Sequence, residues 1–327
     1  MSTRRFVDST ITFVVLMVVI AIGFAKAQAI EDWWKLRGYT PPADVAALAR
    51  QDTMNSYTRR LFYINHPRLI GSVSAFRQEC SEDEQTIVLG CYHPGLEGIF
   101  IYNVQTPELA GVTQVTAAHE VLHAVYERLS SSQRNSLDAL LESYYKSGLQ
   151  DPRVIAEVKL YQQTEPNDVM DEMSCTFGTE ISSLPADLEA YYNQYFTNRA
   201  AIVAFATQYQ GAFATREAQL NANDAQLVGL KAQIGSEEAT LSAELGQINA
   251  DRTRLDADRS NGQIDQYNAG VDSYNSEVDT YDTGIKNLQT DIADYNELVT
   301  ERNAIADELA SLEKSLDTRQ VPQSIPQ

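Results

Sequence analysis

The clearest pattern along the chain lies beyond residue 200. Ile264, Val271, Val278, Ile285, Ile292 and Val299 recur every seven residues, and Tyr267, Tyr274, Tyr281, Leu288 and Tyr295 recur in the same step, offset by three. These are the a and d positions of a coiled coil. An earlier series, Leu220, Leu227, Ile234, Leu241, Ile248 and Leu255, has the same period in a different phase. The phase breaks at Ser260-Asn261-Gly262, a turn signal. Two helices folded into an antiparallel hairpin are the expectation, with one continuous rod as the alternative.

The first 200 residues read differently. After the linker Tyr39-Thr40-Pro41-Pro42, apolar spacing predicts a helix from Asp44 to about Phe62. Gly98 to Val104, rich in β-branched and aromatic residues, predicts a strand. Thr113 to Leu129 predicts a helix: Val115, Ala118, Val121, Leu122, Val125 and Leu129 supply apolar faces, and no Gly or Pro interrupts them. Ser130 with Gln133 then forms a capping box for the next helix. Asn167-Asp168 opens a short helix with Val169, Met173 and Phe177 at helical spacing, and Asp187 to Phe213 predicts a long one.

The amino terminus changes the picture. Arg4 and Arg5 precede an uncharged stretch from Ser9 to Ala25, which predicts a single-pass anchor running in-to-out. The membrane is then a partner through this helix, and the remainder of the chain lies outside the cytoplasm. Ala25-Lys26-Ala27 has the small-x-small form of a cleavage site, so a secreted form cut after Ala27 is the alternative. Cys80 and Cys91 flank a polar stretch and a strand-like one, and a hairpin would join them as a disulfide in an oxidising compartment. A zinc site from Cys80, Cys91 and His93 is the rival. From 201 to 327 the chain carries 9 Lys+Arg against 21 Asp+Glu, a net −12 of its total −20. That balance excludes nucleic acid as a partner of this half. A coiled-coil partner or self-association remains.

Chemistry concentrates at His119-Glu120-Val121-Leu122-His123. On a helix the two histidines stand one turn apart on a single face, so both imidazoles can grip one Zn2+, while Glu120 sits beside the metal as a proton acceptor. Such a site makes a metal-dependent hydrolase, with a peptide or protein as substrate. The apolar residues around the histidines predict a buried helix, where two unpartnered imidazoles would be costly and a metal removes the cost. A catalytic zinc takes three protein ligands. Position 129 is Leu, and the chain has no histidine after His123, so a carboxylate must complete the set. Glu172 is the leading candidate. Glu180, eight residues on and about 80° around an ideal helix, is the rival. Cys175 reads as a buried core thiol.

Thr116-Ala117-Ala118-His119-Glu120-Val121-Leu122-His123-Ala124, then Tyr126, Arg128-Leu129 and Phe177-Gly178-Thr179-Glu180, resemble the gluzincin-type zinc metallopeptidases of a bacterial, membrane-anchored kind with a carboxy-terminal coiled coil. The resemblance covers less than half the chain. It implies that Asp171-Glu172 stands for the family's Asn/Asp-Glu pair, and that Glu120 shuttles protons. Thr176 stands where the family often has an Asp that orients the first histidine. An edge strand pairing with extended substrate is implied as well, and Gly98–Val104 would be that strand. Tyr126 and Tyr161 are candidates for stabilising an oxyanion.

The expected fold is α+β: a mostly helical zincin-like domain with a small β-sheet, followed by the long helical hairpin. Residues 1–30 are the signal-anchor, 31–200 the catalytic domain, 201–318 the acidic coiled coil and 319–327 a disordered tail. The expected function is a membrane-anchored zinc metallopeptidase acting outside the cytoplasm. A catalytically inactive zincin-like binding module and an envelope coiled-coil scaffold are the alternatives.

Overall fold

The computed structural model describes residues 27–80, 87–95 and 98–319. The chain forms two compact units, one of residues 1–210 with 315–327, the other of residues 211–314. The architecture is α+β, dominated by helices, with one three-stranded sheet.

In the first unit, α1 (Ala27–Leu36) lies amino-terminal to α2 (Ala43–Gln51) and α3 (Ser56–Ile64). The single helix expected from Asp44 to Phe62 is therefore two. Its break falls at Thr53, φ 52°, where Met54 pairs with Phe196 in an isolated antiparallel bridge. Asn55 restarts the helix by accepting the Thr58 amide on its side-chain oxygen at 2.9 Å.

Strand β1 (Arg68–Ile70), helix α4 (Val73–Glu79), β2 (Gly90–Tyr92) and β3 (Ile99–Tyr102) follow. The order is β1-β3-β2, with β1 parallel and β2 antiparallel to β3. Alternation along β3 splits the interior. Ile99 and Ile101 enter the main core, while Phe100 turns to a smaller cluster with Phe76, Cys80 and Cys91. Cys80 and Cys91 form a disulfide with Cα atoms 5.8 Å apart. It ties the end of α4 to β2, where a hairpin was expected. His93 approaches the same sulfur at 3.4 Å, but a disulfide leaves no thiolates to share with it, so the zinc site of Cys80, Cys91 and His93 is not formed here.

The remaining helices of this unit are α5 (Val112–Glu127), α6 (Ser131–Ser147), α7 (Pro152–Thr164), α8 (Val169–Glu180), α9 (Ala186–Tyr192) and the start of α10 (Arg199–Ser260). Ser130 and Gln133 make the reciprocal capping box that opens α6. The long helix expected from Asp187 to Phe213 is interrupted between α9 and α10 by the bridge of Phe196 to Met54. Phe62, Leu122, Phe177, Tyr192 and Phe196 pack at the centre, each almost fully buried.

The membrane expectations are corrected here. Among the described residues no helix is long and apolar enough to cross a membrane. That finding overturns the expected transmembrane helix, the membrane as a partner through it, and the single-pass membrane placement. The apolar run Ser9–Ala25 itself lies outside the described residues. The part of the segment that is described begins α1, whose Asp32 pairs bidentately with Arg128 at 2.7 and 2.8 Å. Trp33 and Trp34 sit under the Arg37 guanidinium at 5.3 and 5.2 Å. The tail from residue 320 also lies outside the described residues.

The second unit is a helical hairpin of α10 and α11 (Ile264–Leu316), turned at Gly262, φ 73°. Arg216 meets Glu308, Asp224 meets Arg302 and Gln233 meets Asp291, at 2.5–3.0 Å. In every pair the partners stand at matching distances from Gly262, to within two residues, which selects the antiparallel hairpin over the rod. Leu241 and Leu255 bury themselves over Gly284 and Gly270, where a Cβ would come within 2.8 Å of the leucine methyls. The tyrosines at d are only half-buried.

Candidate metal centre and cleft

Helix α5 carries the chemistry because of what surrounds it. Ala117, Ala118, Val121, Leu122 and Val125 bury its core faces against Ile99 and Ile101 of β3 and against α8. Gly178 permits the close approach of α8: a Cβ there would lie 2.7 Å from Leu122 and 2.6 Å from Tyr192. Helix α8 runs unbroken through Gly178 to Glu180. The glycine serves packing.

That packing brings three of the sequence candidates together. His119 Nε2 lies 3.4 Å from Glu172 Oε2, and His123 Nε2 lies 3.6 Å from Glu172 Oε1. Donors on a tetrahedral zinc at about 2.1 Å stand about 3.4 Å apart. Each imidazole lies near that distance from its own oxygen of Glu172, whereas the three residues whose single donor atoms all lie within 4.8 Å of one another are His119, His123 and Cys175. Asp171 Oδ1 lies 3.0 Å from His123 Nδ1, which holds that imidazole with Nε2 toward Glu172. Thr176, which stands where the family often has its orienting Asp, makes no side-chain bond to either imidazole among the described residues; Asp171 holds the second one. Glu180 is elsewhere, held by Arg153 at 2.6 Å and Gln210 at 2.7 Å.

Cys175 also comes close. Its buried sulfur lies within 4.8 Å of donor atoms of both histidines. It stands 3.7 Å from Asp171 Oδ1, and it does not line the cleft, whereas Glu172 does. Zinc binding separates the two. Cys175→Ala is expected to leave zinc affinity unchanged, and Asp171→Asn to lower it roughly 10–100-fold, the cost of losing a partner that orients a ligand. Glu172→Gln should cost more than that. Competition titration with a chromophoric chelator reads all three, and zinc lost from Cys175→Ala but kept by Glu172→Gln would move the third ligand to the thiol.

The electrostatics follow from burial and mutual charge. Burial pushes the Glu172 carboxyl up, but His123, His119 and a hydrogen bond from Tyr161 together hold it down at about 2. Burial works against charge on the histidines, yet Glu172 raises His119, and Cys175, Glu172 and Asp171 raise His123 well above the ordinary imidazole range. The Glu120 carboxyl goes the other way. Burial lifts its proton affinity above the usual carboxylate range. Its residue is 4% exposed, it lines the cleft, and no hydrogen bond or ion pair among the described residues holds it.

The cleft has a volume of about 710 Å³. Its wall beside α5 includes Gly90, Cys91 and Tyr92 of β2, an edge strand of the sheet. The strand expected there, Gly98–Val104, contributes β3, which occupies the middle. Gly90 went unnoticed in the sequence. A Cβ on it would stand 2.4 Å from Glu120 Oε1, so only glycine lets the strand lie against that carboxyl. Of the two tyrosine candidates, Tyr126 donates to Asp138 at 2.8 Å, and Tyr161 bonds to Glu172.

Comparison with family models, with curated proteins and with solved structures returns no match.

Proposed function

We propose that this protein is a zinc-dependent metallopeptidase with a zincin-like domain of the Glu-ligand kind. One observation carries the reading. Both imidazole Nε2 atoms face the two oxygens of one carboxylate, Glu172, and beside them in the same cleft lies an unpartnered, buried Glu120. His119, His123 and Glu172 would hold the ion. Zinc bound there supplies Lewis acidity toward a carbonyl and a water acidic near pH 7.

The chain's own groups supply the rest. Glu120, with its raised proton affinity, takes a proton from the attacking water and returns it to the leaving amine. Asp171 keeps His123 turned toward the ion, and Tyr161 keeps the Glu172 carboxylate in place. Strand β2, at an edge of the sheet among the described residues, lines the cleft and would offer main-chain groups to an extended peptide.

Two measurements test the reading. Zinc per chain, compared with His119→Ala, tests the metal. A peptide library digested with zinc-loaded wild type and with Glu120→Gln tests the chemistry. Zinc bound by the wild type with no cleavage by either protein would leave a binding module in place of an enzyme.

A further inference from the structure

We propose that Thr318 ends the peptide-binding register of the cleft. The segment that follows α11 occupies the outer edge of the β2 strand at Val88, so an extended peptide pairs with Gly90 and Tyr92 and stops there. Thr318 thereby limits the substrates of the peptidase proposed for this cleft, and the inference rests on that reading.

Backbone alternation decides which groups of the strand face outward. The Leu89 carbonyl accepts the Tyr102 amide at 2.8 Å, and the His93 amide donates to the Gly98 carbonyl at 3.0 Å. Cys91 is registered against Phe100 between them. Leu89, Cys91 and His93 therefore turn their main-chain groups toward β3, and in an antiparallel pair the residues between them turn theirs away. Val88, Gly90 and Tyr92 present that other edge, and all three line the cleft. An extended peptide added there would bond to these residues in turn.

Val88 is already taken. Thr318 Oγ1 donates to its carbonyl at 2.6 Å, and the Thr318 carbonyl accepts from Arg77 Nε of α4. Thr318 is 5% exposed, so the contact is packed as well as bonded. Arg319 closes the segment around it, its amide and guanidinium donating to the Asp317 carboxylate at 2.9–3.0 Å. Residues 315–319 belong to the same unit as the cleft, and none of them lines it. The segment thus stops the edge and leaves the cavity open. A hydroxyl on a strand carbonyl is ordinarily a fastening and nothing more. Here the carbonyl it takes is in line with Gly90, whose strand runs so close to Glu120 that a Cβ would stand 2.4 Å from Oε1. A peptide on this edge lies beside the proposed base, and Thr318 decides how far it extends.

The test measures binding, so that it stands apart from catalysis. Three residues, at about 3.3 Å each, suffice to pair with Gly90 and Tyr92, and seven reach past Val88 in either chain direction. N-acetylated, fluorescein-labelled peptides of alternating Val and Ser, of these two lengths, are titrated by anisotropy into the whole protein stripped of zinc, so that neither is cut. Wild type is expected to bind both lengths alike. A chain stopped after Leu316 exposes the Val88 carbonyl. It should bind the longer peptide about fivefold more tightly, the net effect of about one added hydrogen bond, and the shorter one as wild type does. Arg77→Met loosens the same segment from its other side and should give about a twofold gain, which keeps the test available if the shortened chain does not fold. A chain stopped after Arg319 should give no gain, and thermal melting confirms which variants fold. Equal gains for both lengths, no gain in either loosened variant, a gain already present in the chain stopped after Arg319, or no binding by any of the proteins overturns the proposal. Zinc is then restored. A length effect with no cleavage by any of the proteins would instead sink the peptidase reading and leave Thr318 limiting the register of a binding module.

Discussion

Glu120→Gln is expected to lower the hydrolysis of a susceptible peptide by about a thousandfold while zinc content stays at the wild-type level. The magnitude lies within the roughly 10²–10⁴-fold that a positioned acid or base contributes. The two halves of the result have separate physical causes. Glutamine has nearly the shape of glutamate, so the cleft keeps its form, but it cannot accept a proton at neutral pH. Glu120 is absent from the group of donors that face one another across α5 and α8, so its loss removes no ligand. The neutral amide also removes a buried, unpartnered carboxyl, and the variant should melt no lower than wild type. Activity and zinc are read on the same preparation. A variant that keeps half the wild-type rate would remove Glu120 from the chemistry, and one that loses zinc would make it a ligand.

How far the sequence foresaw this site depends on the range of the interaction involved. The spacing of His119, Glu120 and His123 is local to one helix, and α5 forms where the apolar pattern places it. Glu172 was reached by elimination among residues able to ligate, and the structure sets it against both histidines through the packing of α8 on α5. Asp171 stood next to it in the chain, but its bond to His123 Nδ1 depends on how α8 is rotated. The two false helices failed for one shared reason. A backbone bridge between Met54 and Phe196 is invisible to periodicity measured along either segment alone. The edge strand was misplaced because β2 is three residues long and begins with glycine, a residue that weakens any strand signal. The hairpin of the second unit was legible because its phase break and its turn residue coincide in sequence.

Gly90→Ala is expected to lower kcat by about a hundredfold, leaving zinc content unchanged and the Cys80–Cys91 disulfide intact. Gly90 is absent from the glycines with positive φ, so alanine can adopt its backbone without strain. The conflict is one of space. The new methyl would stand 2.4 Å from Glu120 Oε1, 2.7 Å from its Cδ and 2.6 Å from Thr116 Cγ2. Gly90 is registered against Ile101 of the central strand, and Thr116 is held by its hydroxyl on the Val112 carbonyl at 3.0 Å. The group free to move is the Glu120 carboxyl, since no bond holds it. A displacement of about 1 Å is enough to cost roughly 10²-fold in rate. The effect must then travel through Glu120, which a double-mutant cycle reveals. In the Glu120→Gln background, Gly90→Ala should cost less than about threefold, because the group it displaces has already lost its function. A hundredfold loss in both backgrounds would mean that the methyl damages the cleft by another route, and loss of zinc would mean that it disturbs α5 itself. The expected combination, with catalysis lost, metal kept and no further loss on the Glu120→Gln background, would make a glycine on the neighbouring strand the residue that aims the base.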